Sequence, residues 1–133
     1  MKDNQNDTIL NLMGNWSMSP VDDGAATDIQ IFLLSNGLGA YAEYNWYLIH
    51  FADISWKVEN GCIVIKSDDE EMRFLNGEVK FNGKGTVTDI TGNTHELESI
   101  SISENKFYKI PGSEKELVKF MNRLRQQFKE NEF

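Results

Sequence analysis

The side chains best suited to chemistry in this chain are two histidines, His50 and His95, the single cysteine Cys62 and the carboxylate run Asp68-Asp69-Glu70-Glu71. A zinc centre draws its ligands from His and Cys at short, regular spacings, and neither histidine has a second His or Cys placed that way. No metal site is expected. Cys62 opens an apolar run, where a thiol behaves as a small buried hydrophobe; a nucleophile would need an adjacent base and an electropositive setting. The four carboxylates lack the alternating oxygens, central Gly and distant Glu of an EF-hand loop. They read as a solvated turn or, functionally, as an acidic rim for the Lys and Arg of a basic protein. Gly37-Leu38-Gly39 and Gly83-Lys84-Gly85 open no helix, so they read as hairpin turns and not as phosphate cradles. Neither catalysis nor a cofactor is expected.

Composition narrows the partners. The formal charge of −8 disfavours nucleic acid, because Lys and Arg supply most non-specific affinity for phosphate. From Ser113 to Asn131 five basic residues face three acidic ones, so the acidic excess lies in the rest of the chain. No apolar run approaches the roughly 20 residues of a membrane span, and the polar start Lys2-Asp3-Asn4-Gln5-Asn6-Asp7 is unlike a secretory signal. A lone cysteine forms no internal disulfide. The expectation is a soluble, cytoplasmic, single-domain protein of 133 residues, with residues 1–8 a flexible tail and 9–133 the folded unit.

The elements that would position these residues are mostly strands. Asn-Gly occurs four times, at Asn36, Asn60, Asn76 and Asn82, each beside β-branched or apolar runs. Both residues of that pair accept the positive φ of a type I′ hairpin turn. An antiparallel meander follows, of about nine or ten strands: Asn15 to Ser19, Asp28 to Ser35, Gly39 to Leu48, Phe51 to Val58, Cys62 to Lys66, Met72 to Leu75, Glu78 to Phe81, Gly85 to Thr91, His95 to Ile102 and Lys106 to Ile110. Beyond Pro111-Gly112 the period changes. Ser113 and Glu116 form a capping box, and Leu117, Phe120, Met121, Leu124 and Phe128 mark one face of an amphipathic helix over 113–130.

Gly14-Asn15-Trp16, after a short helical turn and before the meander, resembles the lipocalin-like or calycin β-barrels. The run Ile31 to Gly39, then Asn45-Trp46, then Ile54-Ser55-Trp56-Lys57-Val58, is similar to the small bacterial members of that group. The resemblance implies an eight-stranded barrel used in one of two ways. Larger relatives carry small apolar ligands inside, whereas some small bacterial ones act through the outer surface, toxin-neutralising immunity proteins among them.

The fold class expected is therefore mainly β, an antiparallel meander forming a lipocalin-like barrel with a C-terminal helix. In so short a chain a filled interior is expected, with Trp16, Trp46 and Trp56 in the core. The function expected is non-enzymatic binding of a basic protein, concretely an immunity protein that occludes the basic cleft of a toxin. Its contacts would be the acidic Asp22, Asp23, Asp68, Asp69, Glu70 and Glu71 with the aromatic anchors Tyr41, Tyr44 and Tyr47. The alternative is a carrier of a small apolar ligand in the barrel.

Overall fold

A computed structural model describes residues 11–22, 24, 26–67 and 76–130. Eight antiparallel strands run in chain order around a closed barrel. They are β1 (Gly14–Ser17), β2 (Thr27–Leu33), β3 (Leu38–Asn45), β4 (Tyr47–Glu59), β5 (Cys62–Lys66), β6 (Gly77–Thr88), β7 (Thr94–Ile102) and β8 (Asn105–Ile110), followed by a helix over Glu114–Glu130. The first strand closes the ring against the last, Trp16 standing opposite Lys109 and Ser17 opposite Tyr108.

Side-chain alternation sorts each strand between two cores. On β2, Ile29, Ile31 and Leu33 belong to the barrel interior, while Phe32 belongs to a second cluster beneath the helix. The interior is packed with Trp16, Tyr41, Trp56, Ile63, Ile100, Ile102 and Phe107 among others, all but excluded from solvent. Both buried indoles satisfy their N–H groups on backbone carbonyls: Trp16 donates to Leu12 at 2.7 Å and Trp56 to Leu34 at 3.0 Å. The filled interior expected from the aromatic content is what the fold contains.

The helix lies on the outside of the barrel. Leu117, Met121 and Leu124 are buried against Phe32, Leu34, Leu48 and Phe51, over a floor made shallow by Ala40 and Ala42. Each such aliphatic burial stabilises by about 1.5–3 kcal/mol. The expected capping box forms: Ser113 Oγ accepts the Glu116 amide at 3.2 Å, and Glu116 Oε1 accepts the Ser113 amide at 3.1 Å. Two long-range polar contacts fasten the helix. Glu114 accepts from the Ser35 amide and hydroxyl, and the Arg125 guanidinium grips Asp53.

Several expectations need correction. Only Asn60-Gly61 has both residues at positive φ, 53° and 78°, as a type I′ turn requires. Asn82-Gly83 makes no turn: the ladder between β6 and β7 slips at Phe81/Gly83, so one bulged strand replaces the expected pair Glu78 to Phe81 and Gly85 to Thr91. Gly83-Lys84-Gly85 therefore lies within a strand, and the hairpin turn falls instead at Asp89 to Asn93, where the Asp89 amide donates to Asn93 at 2.9 Å. The expected strand Gly39 to Leu48 is broken at Trp46, and the described residues form eight strands. The strand expected at Met72 to Leu75 lies outside the described residues.

Candidate functional site

The β3–β4 connection is a single residue. Asn45 pairs with Tyr47 across it, leaving Trp46 at the apex with φ of 66°. A bulky side chain in the left-handed region costs roughly 1–2 kcal/mol, which here is borne in a turn held by the Trp46 amide donating to Ala26 at 2.7 Å. The backbone so placed leaves both aromatic rings outside the core: Trp46 is 74% exposed and Tyr47 78%. A register shift at Glu43/Tyr44 sets His50 opposite Glu43 but Leu48 opposite Tyr44, which puts Ile49 out of the ladder and half exposed.

The loop between β1 and β2 joins this tip to a second one. Ala26 holds the Trp46 amide, and the Asp22 carbonyl accepts the Ile90 amide at 2.7 Å in the β6–β7 turn. Ile90 is itself exposed. Its turn is organised by Asp89, whose Oδ1 accepts from the Thr91 and Asn93 amides and whose Oδ2 meets His95 Nε2 at 2.9 Å. These donors, His95 foremost and then Thr91, hold the Asp89 carboxyl well below the usual carboxylate range. Three connections and the start of β4 thus expose Trp46, Tyr47, Ile49 and Ile90 along with Asp22, side chains of a kind suited to macromolecular contact.

The sequence-predicted residues divide. Tyr47 and Asp22 are exposed as expected. Tyr41 is buried in the barrel interior, 2% exposed, with its hydroxyl donating to Glu43 at 3.1 Å, so it presents nothing to a partner. Tyr44 is half-buried beside the helix-covered cluster, and burial, helped by the charge of Asp28 opposite it, pushes its phenol up to about 12. Trp46, assigned by sequence to the core, is exposed. Asp23, Asp68, Asp69, Glu70 and Glu71 lie outside the described residues. What the sequence reading missed is the turn at Asn45-Trp46: an Asn interrupting two aromatic-rich runs was the available sign of it.

Beneath the outer surface of β1 and β2 runs a directed chain of polar contacts. Asp28 accepts from Ser17 Oγ, from the Ser19 amide and, at 2.9 Å, from the amide group of Gln30. Gln30 Oε1 is thereby turned to accept from Asn15 Nδ2 at 3.4 Å. Asn15, 7% exposed, is left with a buried Oδ1 to which no donor among the described residues reaches. Asn15 and Gln30 line a groove of about 470 Å³ between the barrel and the start of the helix.

Among the described residues no three His, Cys, Asp or Glu side chains converge to hold a metal ion, and no helix is long and apolar enough to cross a membrane. Comparison with family models, curated proteins and solved structures finds no match to this chain.

Proposed function

We propose that this chain is a non-catalytic binding protein that engages a basic protein partner, in the manner of an immunity protein covering the basic cleft of a toxin. The observation that carries this reading is the outward Trp46-Tyr47 pair, kept on a backbone conformation that Trp disfavours. Two large aromatics left mostly in water add little to folding. Such residues, ringed by polar groups, are the usual anchors of an interface. The formal charge of −8 adds steering toward a positively charged surface, which raises encounter rates more than affinity.

The packed interior also supports an outer-surface role over the carriage of a ligand within the barrel. The resemblance at Gly14-Asn15-Trp16 to small bacterial lipocalin-like proteins, and the cytoplasmic setting of such inhibitors, belong to the same proposal.

The test is native mass spectrometry at low ionic strength on the protein isolated from its own source, alongside a Trp46→Gly/Tyr47→Ser variant. A stoichiometric complex with a basic protein that disappears in the variant, followed by protection of cells coexpressing that protein, is the expected result. Bare monomer, or a complex indifferent to the two substitutions, would overturn the proposal. Asp68→Lys, Asp69→Lys and Glu70→Lys, made together, ask separately whether the acidic run takes part: reduced protection includes it, unchanged protection removes it.

A further inference from the structure

We infer that the free edge of β6 is a self-association site, at which a second copy of this chain adds its own β6 in antiparallel register. The inference does not rest on the docking surface above and shares only Ile90 with it. β6 runs for 12 residues beside β7, but β5 meets it only at Cys62↔Glu78 and Ile63↔Gly77. Past Val79, whose amide donates to Gly61 at 3.1 Å, no described strand lies along the side of β6 turned away from β7. Lys84, Thr86 and Thr88 are exposed there.

The ladder register says which backbone groups are open. Bonded and non-bonded pairs alternate along an antiparallel ladder. The Asp89 amide donates to Asn93, so Thr88↔Thr94, Thr86↔Glu96 and Lys84↔Glu98 are non-bonded pairs. The N–H and C=O groups of Lys84, Thr86 and Thr88 therefore point away from β7, and no hydrogen bond to another described residue engages them. A row of alternating donors and acceptors two residues apart is a template for an extended strand.

This edge is complementary to itself. A two-fold axis at Thr86 sets Thr86 opposite Thr86 of the second copy and each Lys84 opposite a Thr88, every such pair exchanging two N–H···O bonds. Lysine at an edge ordinarily deters pairing, but in this register it faces a threonine and not another lysine. On the opposite face Val87 stands level with Gly85, which has no side chain to obstruct it. Phe81 and Ile90, 47% and 66% exposed, lie at opposite ends of the edge, so the antiparallel arrangement carries Phe81 of each copy toward the Ile90 end of the other. A foreign strand would gain the same backbone bonds without these matched ends.

Both copies carry a charge of −8 and repel, so association should strengthen as salt screens them, opposite to the salt response of a complex with a basic protein. The test is sedimentation equilibrium of the full chain at rising salt, with amide hydrogen exchange to locate the contact. The average mass is expected to climb with concentration toward twice the 15.3 kDa of one chain, and the Lys84, Thr86 and Thr88 amides to gain protection with it. Thr86→Lys and Thr86→Glu each set like charges opposite at the centre and should weaken association by about fivefold, while an equimolar mixture of the two restores it. The Trp46→Gly/Tyr47→Ser variant should associate as the parent does, which separates this contact from the docking surface. A parent chain that stays at 15.3 kDa into the millimolar range, or protection confined to other amides, would overturn the inference whether or not the variants fold. So would a mixture no more associated than its parts, or loss of association in the Trp46→Gly/Tyr47→Ser variant.

Discussion

Lys109 lies against the indole of Trp16, its Nζ 5.6 Å from the ring centroid, across the two strands that close the barrel. Its Cε occupies the space a side chain at position 14 would need: a Cβ on Gly14, where φ is 137°, would stand 2.8 Å from it. Three residues of the closure, Gly14, Trp16 and Lys109, therefore depend on one another. The lysine stem covers an aromatic face that would otherwise end the core, while its ammonium reaches Glu98 at 3.8 Å.

Lys109→Met keeps the stem and removes the charge. The expected loss is about 1 kcal/mol, the scale of a partly desolvated cation–π contact, and it should appear as a lower urea midpoint with an unchanged slope. An unaltered midpoint would assign the contact to packing alone, and Lys109→Ala would then carry the whole effect.

Trp46→Gly should leave the fold at least as stable as the parent. Glycine accepts φ of 66° without the penalty of a Cβ, offsetting its greater freedom in the unfolded chain, so the free energy of unfolding is expected to hold or rise by about 1 kcal/mol. A loss above about 1 kcal/mol in denaturant titration would mean that the ring makes contacts the fold requires, and that its exposure is not reserved for a partner.

The legibility of this chain follows from which signals are local. The helix could be placed within a residue because Ser113, Glu116 and the apolar spacing Leu117 to Leu124 are all short-range and agree with the packing. Asn60-Gly61 was equally readable. Asn82-Gly83 carried the same dipeptide into a bulge, because the pairing of Lys84 with Glu98 and Thr86 with Glu96 continues the ladder past it, a long-range fact. Tyr41 and Tyr47 look alike in sequence; the one-residue turn at Trp46 and the shift at Glu43/Tyr44 decide which is inside. The groove was invisible for the same reason, since Asn15, Gln30 and Leu117 meet only once the barrel has closed and the helix has docked.

Tyr44 should ionise late. Its folded pKa, near 12, exceeds the ordinary value of 10.0, so its contribution to stability is complete below pH 10 and fades as pH rises from 10 toward 12. Absorbance at alkaline pH should resolve a tyrosine transition near 12, and Asp28→Asn should bring that transition to lower pH by removing the second of its two causes. Loss of the late transition in Tyr44→Phe assigns it, and a Tyr44→Phe variant that titrates as the parent does would contradict the burial of Tyr44.

Asp89 gives the opposite sign. Its carboxyl is held low, so whatever it contributes is present above pH 3.8 and declines as pH falls below that value. Asp89→Ala should speed hydrogen exchange at Thr91 and Asn93, whose amides it accepts, while Ile100 and Ile102 in the barrel core exchange as before. Equal protection of the turn in both proteins would show that the backbone holds it unaided.

Gly39 has no room for a methyl group. A Cβ there would stand 2.0 Å from the Phe32 carbonyl oxygen, on backbone that cannot rotate away. Gly39→Ala is expected to cost about 2 kcal/mol or more, read from thermal or denaturant unfolding, and a variant as stable as the parent would mean that β2 and β3 can separate locally.

The pairing of β1 with β8 sets a timetable for synthesis. Trp16 leaves the ribosome well before Lys109, and Phe32 well before Phe120, so neither pair can form until β8 and the helix have been made. Contacts of such separation form slowly. A nascent chain paused before β8 would carry two unpaired strand edges and an uncovered apolar face, so the last strand and helix act as the seal that ends its exposure to chaperones and to aggregation.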